Sequence, residues 1–323
     1  LKIVIRAALI LGLGAMILLI AQEGARAILS LLSRAGWVLF LLVPLHALPL
    51  LLDVLGWRVL IAGRSRLCAL FFIACIREAV NRLLPLGSVG GELVGIRLLA
   101  QQGLDGTMAA ASVIVELAVT LATQYLFVVL GVVCLLRLTD AMRLSGGLLV
   151  GLCASLLLLA LFIALLRNGA IFGRLERVAE RLLRLNAPAS SVLWQGARLD
   201  AAIRELFAAH GRLARTLFWQ FAGLVVGCAE TWLALRWLGH PVGLAAALAL
   251  ESLTQAARHL FFLVPAGLGV QEAGLIGVGH LLGIGTDVAI ALSLAKRMRE
   301  ILFGLPALVA WQWIEGRRGW VTF

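Results

Sequence analysis

Eight ionisable side chains sit inside apolar stretches of this sequence: Glu92, Arg97, Glu116, Glu272, Lys296, Arg297, Arg299 and Glu300. A charge at mid-bilayer costs about 3 kcal/mol on insertion scales, so such groups must face one another or water. Carboxylates gathered with guanidinium and ammonium groups in a poorly hydrated place suit two tasks, holding a charged headgroup and passing a proton. Glu92 and Glu272 each follow a proline by seven residues, Pro85 and Pro265, with Gly87 and Gly91 near the first and Gly267 and Gly269 near the second. Asn81 lies just before the first break. Glycines at 87, 91 and 95 permit close helix approach. No nucleophile and base signature and no HExxH accompany these residues, and Gly267 and Gly269 lack the third glycine and the strand of a nucleotide fingerprint. Catalytic residues, a metal site, a cofactor and an ATP site are therefore not expected, and the chain reads as a non-enzyme.

Two copies of one pattern hold these residues. Laid on itself at an offset of 180, the chain pairs Leu83 with Leu263, Pro85 with Pro265, Gly87 with Gly267, Glu92 with Glu272, Gly103 with Gly283 and Trp57 with Trp237. The rare types in register carry the weight, which points to an internal repeat. In each copy two short, polar-interrupted segments meet at a Pro/Gly break, over 67–103 and 244–283. Each reads as a re-entrant hairpin, which a membrane tolerates only where protein or a water-filled cavity satisfies the loosened backbone. A long helix follows each hairpin, over 107–136 and 287–314. Glu116, Thr120 and Gln124 share one face of the first. The offset sets Glu116 on Lys296 and Thr120 on Glu300. Glu116 and Lys296 are thus expected to meet across the repeats, either as a structural salt bridge or as part of a site.

Composition fixes the class. Hydrophobic residues make up 62% and charged residues 14%, against roughly 45–50% and about 25% in soluble domains. Apolar runs of spanning length over 3–20, 37–60, 107–136, 147–166, 216–238 and 287–314 give about six full membrane spans. The first is read as a membrane helix and not as a removable signal. The net charge of +11 does not argue for nucleic acid, because the cations lie between apolar runs, where they set topology. With both termini in the cytoplasm, cytoplasmic segments carry 16 Lys and Arg and the opposite face 4. Three spans then separate the hairpins, which inverts the second copy, as in transporters whose broken helices face each other near the midplane. Residues 21–36 read as a short interfacial helix and 147–166 as lipid-facing. Residues 167–215, with nine arginines, read as a cytoplasmic amphipathic segment whose second piece runs through Leu199, Ile203 and Phe207. His46 and Asp53 read as locally satisfied polar residues beside a kink at Pro44 and Pro49. The five cysteines lie singly in apolar runs and read as small core residues.

Asn81, Leu84, Pro85, Gly87, Gly90, Gly91 and Glu92, together with Pro265, Gly267, Gly269 and Glu272, resemble the two signature motifs of the lysylphosphatidylglycerol synthase transmembrane, flippase-like family. The resemblance covers most of the chain, and its stand-alone hopanoid-associated members are the most similar in size. It implies translocation of a lipid, or a related lipid-handling role, in the bacterial inner membrane. The soluble aminoacyltransferase domain of the two-domain lysyl-lipid synthases is missing here, so lysyl transfer is not expected.

Taken together, the expected protein is an all-α polytopic membrane protein, an inverted repeat with two re-entrant hairpins in a single transmembrane domain over 1–323. Repeat 1 covers 37–136 and repeat 2 covers 216–314. The expected function is a flippase for a hopanoid or phospholipid-type lipid, working through a cavity between the hairpins. Glu92 and Glu272 would contact the headgroup or a coupling proton, with Arg97, Lys296 and Arg299 attracting phosphate. The alternatives are an intramembrane lipid-modifying enzyme and a scaffold for lipid-synthesis enzymes. The expected partners are a membrane lipid and, in the scaffold reading, such enzymes, with the oligomeric state open.

Overall fold

The computed structural model describes residues 25–84, 90–139, 145–168, 171–175, 196–261, 264 and 267–319. Among them there is helix and turn but no strand, as a chain that must satisfy its backbone inside lipid requires. Helix α1 (Ala25–Ala35) runs through a 3₁₀ turn (Gly36–Leu41) into α2 (Leu42–Leu60). The short α3 (Leu67–Leu83) and α4 (Gly90–Gln101) precede the long α5 (Gly106–Leu138) and α6 (Ser145–Asn168). Then follow α7 (Gly196–Ala208), α8 (His210–Trp237), the short α9 (Leu244–Leu260) and α10 (Val270–Leu281), and finally α11 (Thr286–Gly319).

Helix boundaries follow the offset of 180. The helices α4 and α10 are both 12 residues long and begin at Gly90 and Val270, while α5 and α11 begin at Gly106 and Thr286. The turn between them rests on Gly103 and Gly283, both at positive φ (93° and 73°), where a side chain would be strained. Asp105 then caps α5 by accepting from the amides of Thr107 at 3.0 Å and Met108 at 3.1 Å.

Packing also repeats. The helix α5 packs on α9 as α11 packs on α3, α3 on α4 as α9 on α10, and α4 on α5 as α10 on α11. The pair α2 and α8 joins the two sets along most of its length. That contact is close because Gly56 has no side chain: a Cβ there would stand 3.1 Å from the Thr216 carbonyl, and the Thr216 hydroxyl donates to the Gly56 carbonyl at 3.0 Å. One apolar core gathers around α2, α3 and α4 (Trp57, Ile76, Leu99), and another around α8, α9 and α11 (Leu235, Leu250, Leu292).

Among the described residues, four helical stretches are long and apolar enough to cross a membrane: Leu29–Leu60, Gly106–Leu138, Val150–Asn168 and His210–Trp237. The expected span over 3–20 lies outside the described residues. The helix α11 has 34 residues, ample length at 1.5 Å per residue, but its central charges keep it from reading as an apolar span. The described part of the expected interfacial helix over 21–36 differs from that reading. From Leu29 it runs into the first of these stretches, and Ala35 and Leu39 pack in the core with Val288 and Leu292 of α11. The expected surface helix through Leu199, Ile203 and Phe207 is likewise covered. In α7, Ile203, Leu206 and Phe207 are buried against Val115, Ala118 and Val119 of α5, so protein and not lipid takes its apolar face. Asp200 on α7 accepts from the amides of Phe172 (3.2 Å) and Gly173 (2.8 Å) and ties that segment down. Helix α6 keeps its apolar side chains outward, with Val150, Leu157 and Leu158 exposed, as a lipid-facing helix does.

Candidate functional site

The two short-helix pairs bring their polar residues to the middle of the molecule. In the first pair, Arg77 of α3 reaches two carboxylates, pairing with Glu92 of α4 and, at 2.8 Å, with Glu116 of α5. Its guanidinium lies over the Trp57 ring, 4.6 Å from the centroid, a cation–π contact. Asn81 joins α3 to α4 from both ends of its amide: its oxygen accepts from the Gly91 amide at 2.8 Å and its nitrogen donates to Glu92 at 3.4 Å. Such closeness requires glycine at 91, because a Cβ there would run into the Arg77 carbonyl and the Asn81 side chain.

In the second pair Glu272 opens α10. One oxygen accepts from the Gly269 amide at 2.8 Å, capping the helix, and the other accepts from the Ser293 hydroxyl of α11 at 2.7 Å and from Arg297 at 3.4 Å. Gly267 and Gly269, both at positive φ, shape this entry, and the Gly267 carbonyl accepts from Arg297 at 3.2 Å. Gln271 accepts from Arg258 and donates to Ser293 at 2.9 Å.

Between the two lies the densest part of the network. Glu300 of α11 has four guanidinium groups around it: Arg258 at 3.2 Å, Arg297 at 3.4 Å, Arg82 at 3.6 Å and Arg299 at 3.8 Å. Arg299 also pairs with Glu230 of α8. His46 of α2 stands between Glu78 of α3, at 2.9 Å from Nε2, and Glu230, at 2.8 Å from Nδ1. Four carboxylates (Glu78, Glu230, Glu272, Glu300) thus meet four guanidinium groups with one imidazole among them. A small recess opens onto this centre, lined by His46, Glu78, Ala79, Arg82, Glu300, Phe303 and Gly304. The arrangement can bind charge, since Glu300 has four guanidinium groups within reach, and Glu78 and Glu230 each pair with a guanidinium and with His46.

Of the residues expected from the sequence, Asn81, Gly91, Glu92 and Glu116 form the Arg77 group, and Glu272, Gly267, Gly269, Arg299 and Glu300 belong to the second group and the centre. Pro85, Gly87 and Pro265 lie outside the described residues. Two expectations are corrected. Glu116 and Lys296 do not pair with each other: Glu116 takes Arg77, and Lys296 pairs with Glu251 of α9, which also accepts from Thr231 and from Gln255 at 2.8 Å. Equivalent positions in the two copies face their own short helices, which already supply a counter-charge. Arg97 is not central either. Its side chain is 66% exposed and pairs with Glu315 near the end of α11, because the face of α4 opposite Gly91 and Gly95 points outward.

The sequence reading missed the roles of Arg77, Glu78, Arg82, Glu230, Glu251 and Arg258, and it took His46 for a local kink residue. Each is a polar residue inside or bordering an apolar run, so the signal existed. Arg77, Glu78 and Arg82 were legible only as the end of a short segment, and Glu78 falls on Arg258 at the same offset of 180. No group of three or more potential metal ligands occurs among the described residues.

Long apolar helices and a buried ionic centre define an integral membrane protein with polar chemistry inside the bilayer-sized bundle. The chain belongs to the family of the lysylphosphatidylglycerol synthase TM region, whose model matches residues 3–307, and this places it among lipid-related membrane proteins. No curated protein and no solved structure matches it.

Proposed function

We propose that the protein is a lipid carrier, not an enzyme, that moves a hopanoid or phospholipid-type lipid across or out of the bacterial inner membrane. In this reading α3 with α4 and α9 with α10 are re-entrant hairpins of an inverted repeat, both termini are cytoplasmic, and the lipid headgroup passes through the recess between the two halves. The observation that carries the reading is the central network at the seam: four guanidinium groups close on Glu300 beside a small recess. Buried ionic groups inside a membrane bundle mark substrate and ion pathways. Charges that serve only to hold a fold cost much desolvation for little gain. A phosphate-bearing headgroup fits this centre best, since it can take the place of a carboxylate among guanidinium groups. The absence of any nucleotide fingerprint in the sequence leaves downhill or ion-coupled movement.

The test is lipid movement in proteoliposomes, read as dithionite-accessible fluorescence of a labelled phosphatidylglycerol. Wild type should accelerate exchange between leaflets over empty vesicles. Glu272→Gln and Arg299→Gln, checked for folding by gel filtration, should slow it at least tenfold. Unchanged exchange in both folded variants would remove the network from the transport path, and turnover of the lipid to a new product would establish an enzyme instead.

A further inference from the structure

We propose that His46 is a proton-binding site poised between two charge states, in each of which Nδ1 has a hydrogen-bond partner, and that loading this proton is the coupling step of the lipid movement proposed above. The inference rests on that transport reading for its coupling half only.

The argument is one of donors and acceptors. A carboxylate only accepts, a guanidinium only donates, and an imidazole nitrogen does either according to its proton. Nε2 of His46 lies 2.9 and 3.0 Å from the two oxygens of Glu78, so it carries a hydrogen in both states. Nδ1 faces two partners with opposite demands. Glu230 Oε1 at 2.8 Å needs a hydrogen on Nδ1, while the Arg299 guanidinium on the same nitrogen needs its lone pair. Neutral His46 accepts from Arg299. Protonated His46 donates to Glu230 and repels Arg299, whose other nitrogen is already 3.8 Å from Glu300.

No other ionic group in the described centre is built this way. The pairs Arg77 with Glu92 and Glu116, and Lys296 with Glu251, join a fixed cation to a carboxylate. The groups that face His46 are Glu78 and Arg82 on α3, Glu230 on α8, and Arg299 and Glu300 on α11, with Asp53 two turns along α2 itself. The Phe303 ring packs edge-on, 5.0 Å from the imidazole. His46 and Glu78 come from the first helix set, Glu230 and Arg299 from the second, so the proton decides which contact crosses the seam. It arrives from water in the recess, adds to the Nδ1 lone pair, and returns to water when the seam has rearranged. Only the N–H bond forms and breaks.

Two measurements test the proposal. In protein labelled with ¹⁵N-histidine, the chain's five histidines give few signals, and the set lost in His46→Gln identifies His46. As pH falls from about 10 to about 5, its Nδ1 resonance should move from the acceptor to the N–H position while Nε2 stays protonated. One unchanging state over that range would overturn the site. In proteoliposomes with labelled phosphatidylglycerol, a gradient of one pH unit should sustain up to about tenfold lipid asymmetry if one proton is coupled to each lipid. His46→Gln should abolish the asymmetry. Wild-type exchange that proceeds but ignores the gradient would overturn the coupling and leave the transport reading standing. No lipid movement under any gradient would overturn the transport reading and the coupling together, and the nitrogen titration would still decide the proton site.

Discussion

Glu300 shows how unevenly the charges of one network can be weighted. It is 6% exposed and faces Arg82, Arg258, Arg297 and Arg299. Removing it leaves four like charges crowded in a dry place, so Glu300→Ala should lower stability by about 3–5 kcal/mol, the usual cost of orphaning a buried partner. Thermal unfolding in detergent reads this directly. Arg97 gives the contrast, for its side chain is mostly exposed and its partner Glu315 is partly so. Arg97→Ala should change stability by about 1 kcal/mol or less. A large effect there with a small one at Glu300 would reverse the assignment of centre and periphery.

Among the elements, the short helices depend on how closely they touch. The contact between α3 and α4 closes over Gly91, where an added Cβ meets backbone as well as the Asn81 side chain. Backbone cannot step aside alone, so Gly91→Ala should push α4 away, loosen the pair of Arg77 with Glu92, and cost about 1–3 kcal/mol. Gly277, in the interior of α10, has open space where a Cβ would go. Gly277→Ala should therefore stabilise by up to about 1 kcal/mol through helix propensity. The two alanines have opposite expected signs in the same assay, and equal signs would refute the packing argument for Gly91.

For the whole molecule, the matching contacts of the two helix sets place α3 against α11 beside the recess. A Cβ at Gly304 would stand 3.3 Å from that of Ala79, within reach of a disulfide after slight relaxation. In a chain whose five native cysteines are replaced, Ala79→Cys with Gly304→Cys should cross-link under oxidation. If the halves must part for a headgroup to pass, oxidation should stop lipid movement and reduction should restore it. Full movement in the cross-linked protein would show that the path does not open between α3 and α11.

The sequence by itself determined the class of the molecule and the starts of its long helices. Apolar runs too long and too frequent for a soluble domain set a helical membrane protein, and the breaks that end the short segments set where α5 and α11 begin, because glycines and caps act on their own neighbours in the chain. It also marked Glu92, Glu272, Arg299 and Glu300, since a charge within an apolar run is visible without a fold. Partner choice was decided by the tertiary structure alone. Whether Glu116 meets Lys296 or Arg77, and whether His46 serves its own helix or three others, depends on which helix faces lie together. Helix periodicity says which residues share a face but not what that face meets. The same holds for α7, whose amphipathic pattern fits a membrane surface and a protein surface equally well until α5 is seen to cover it.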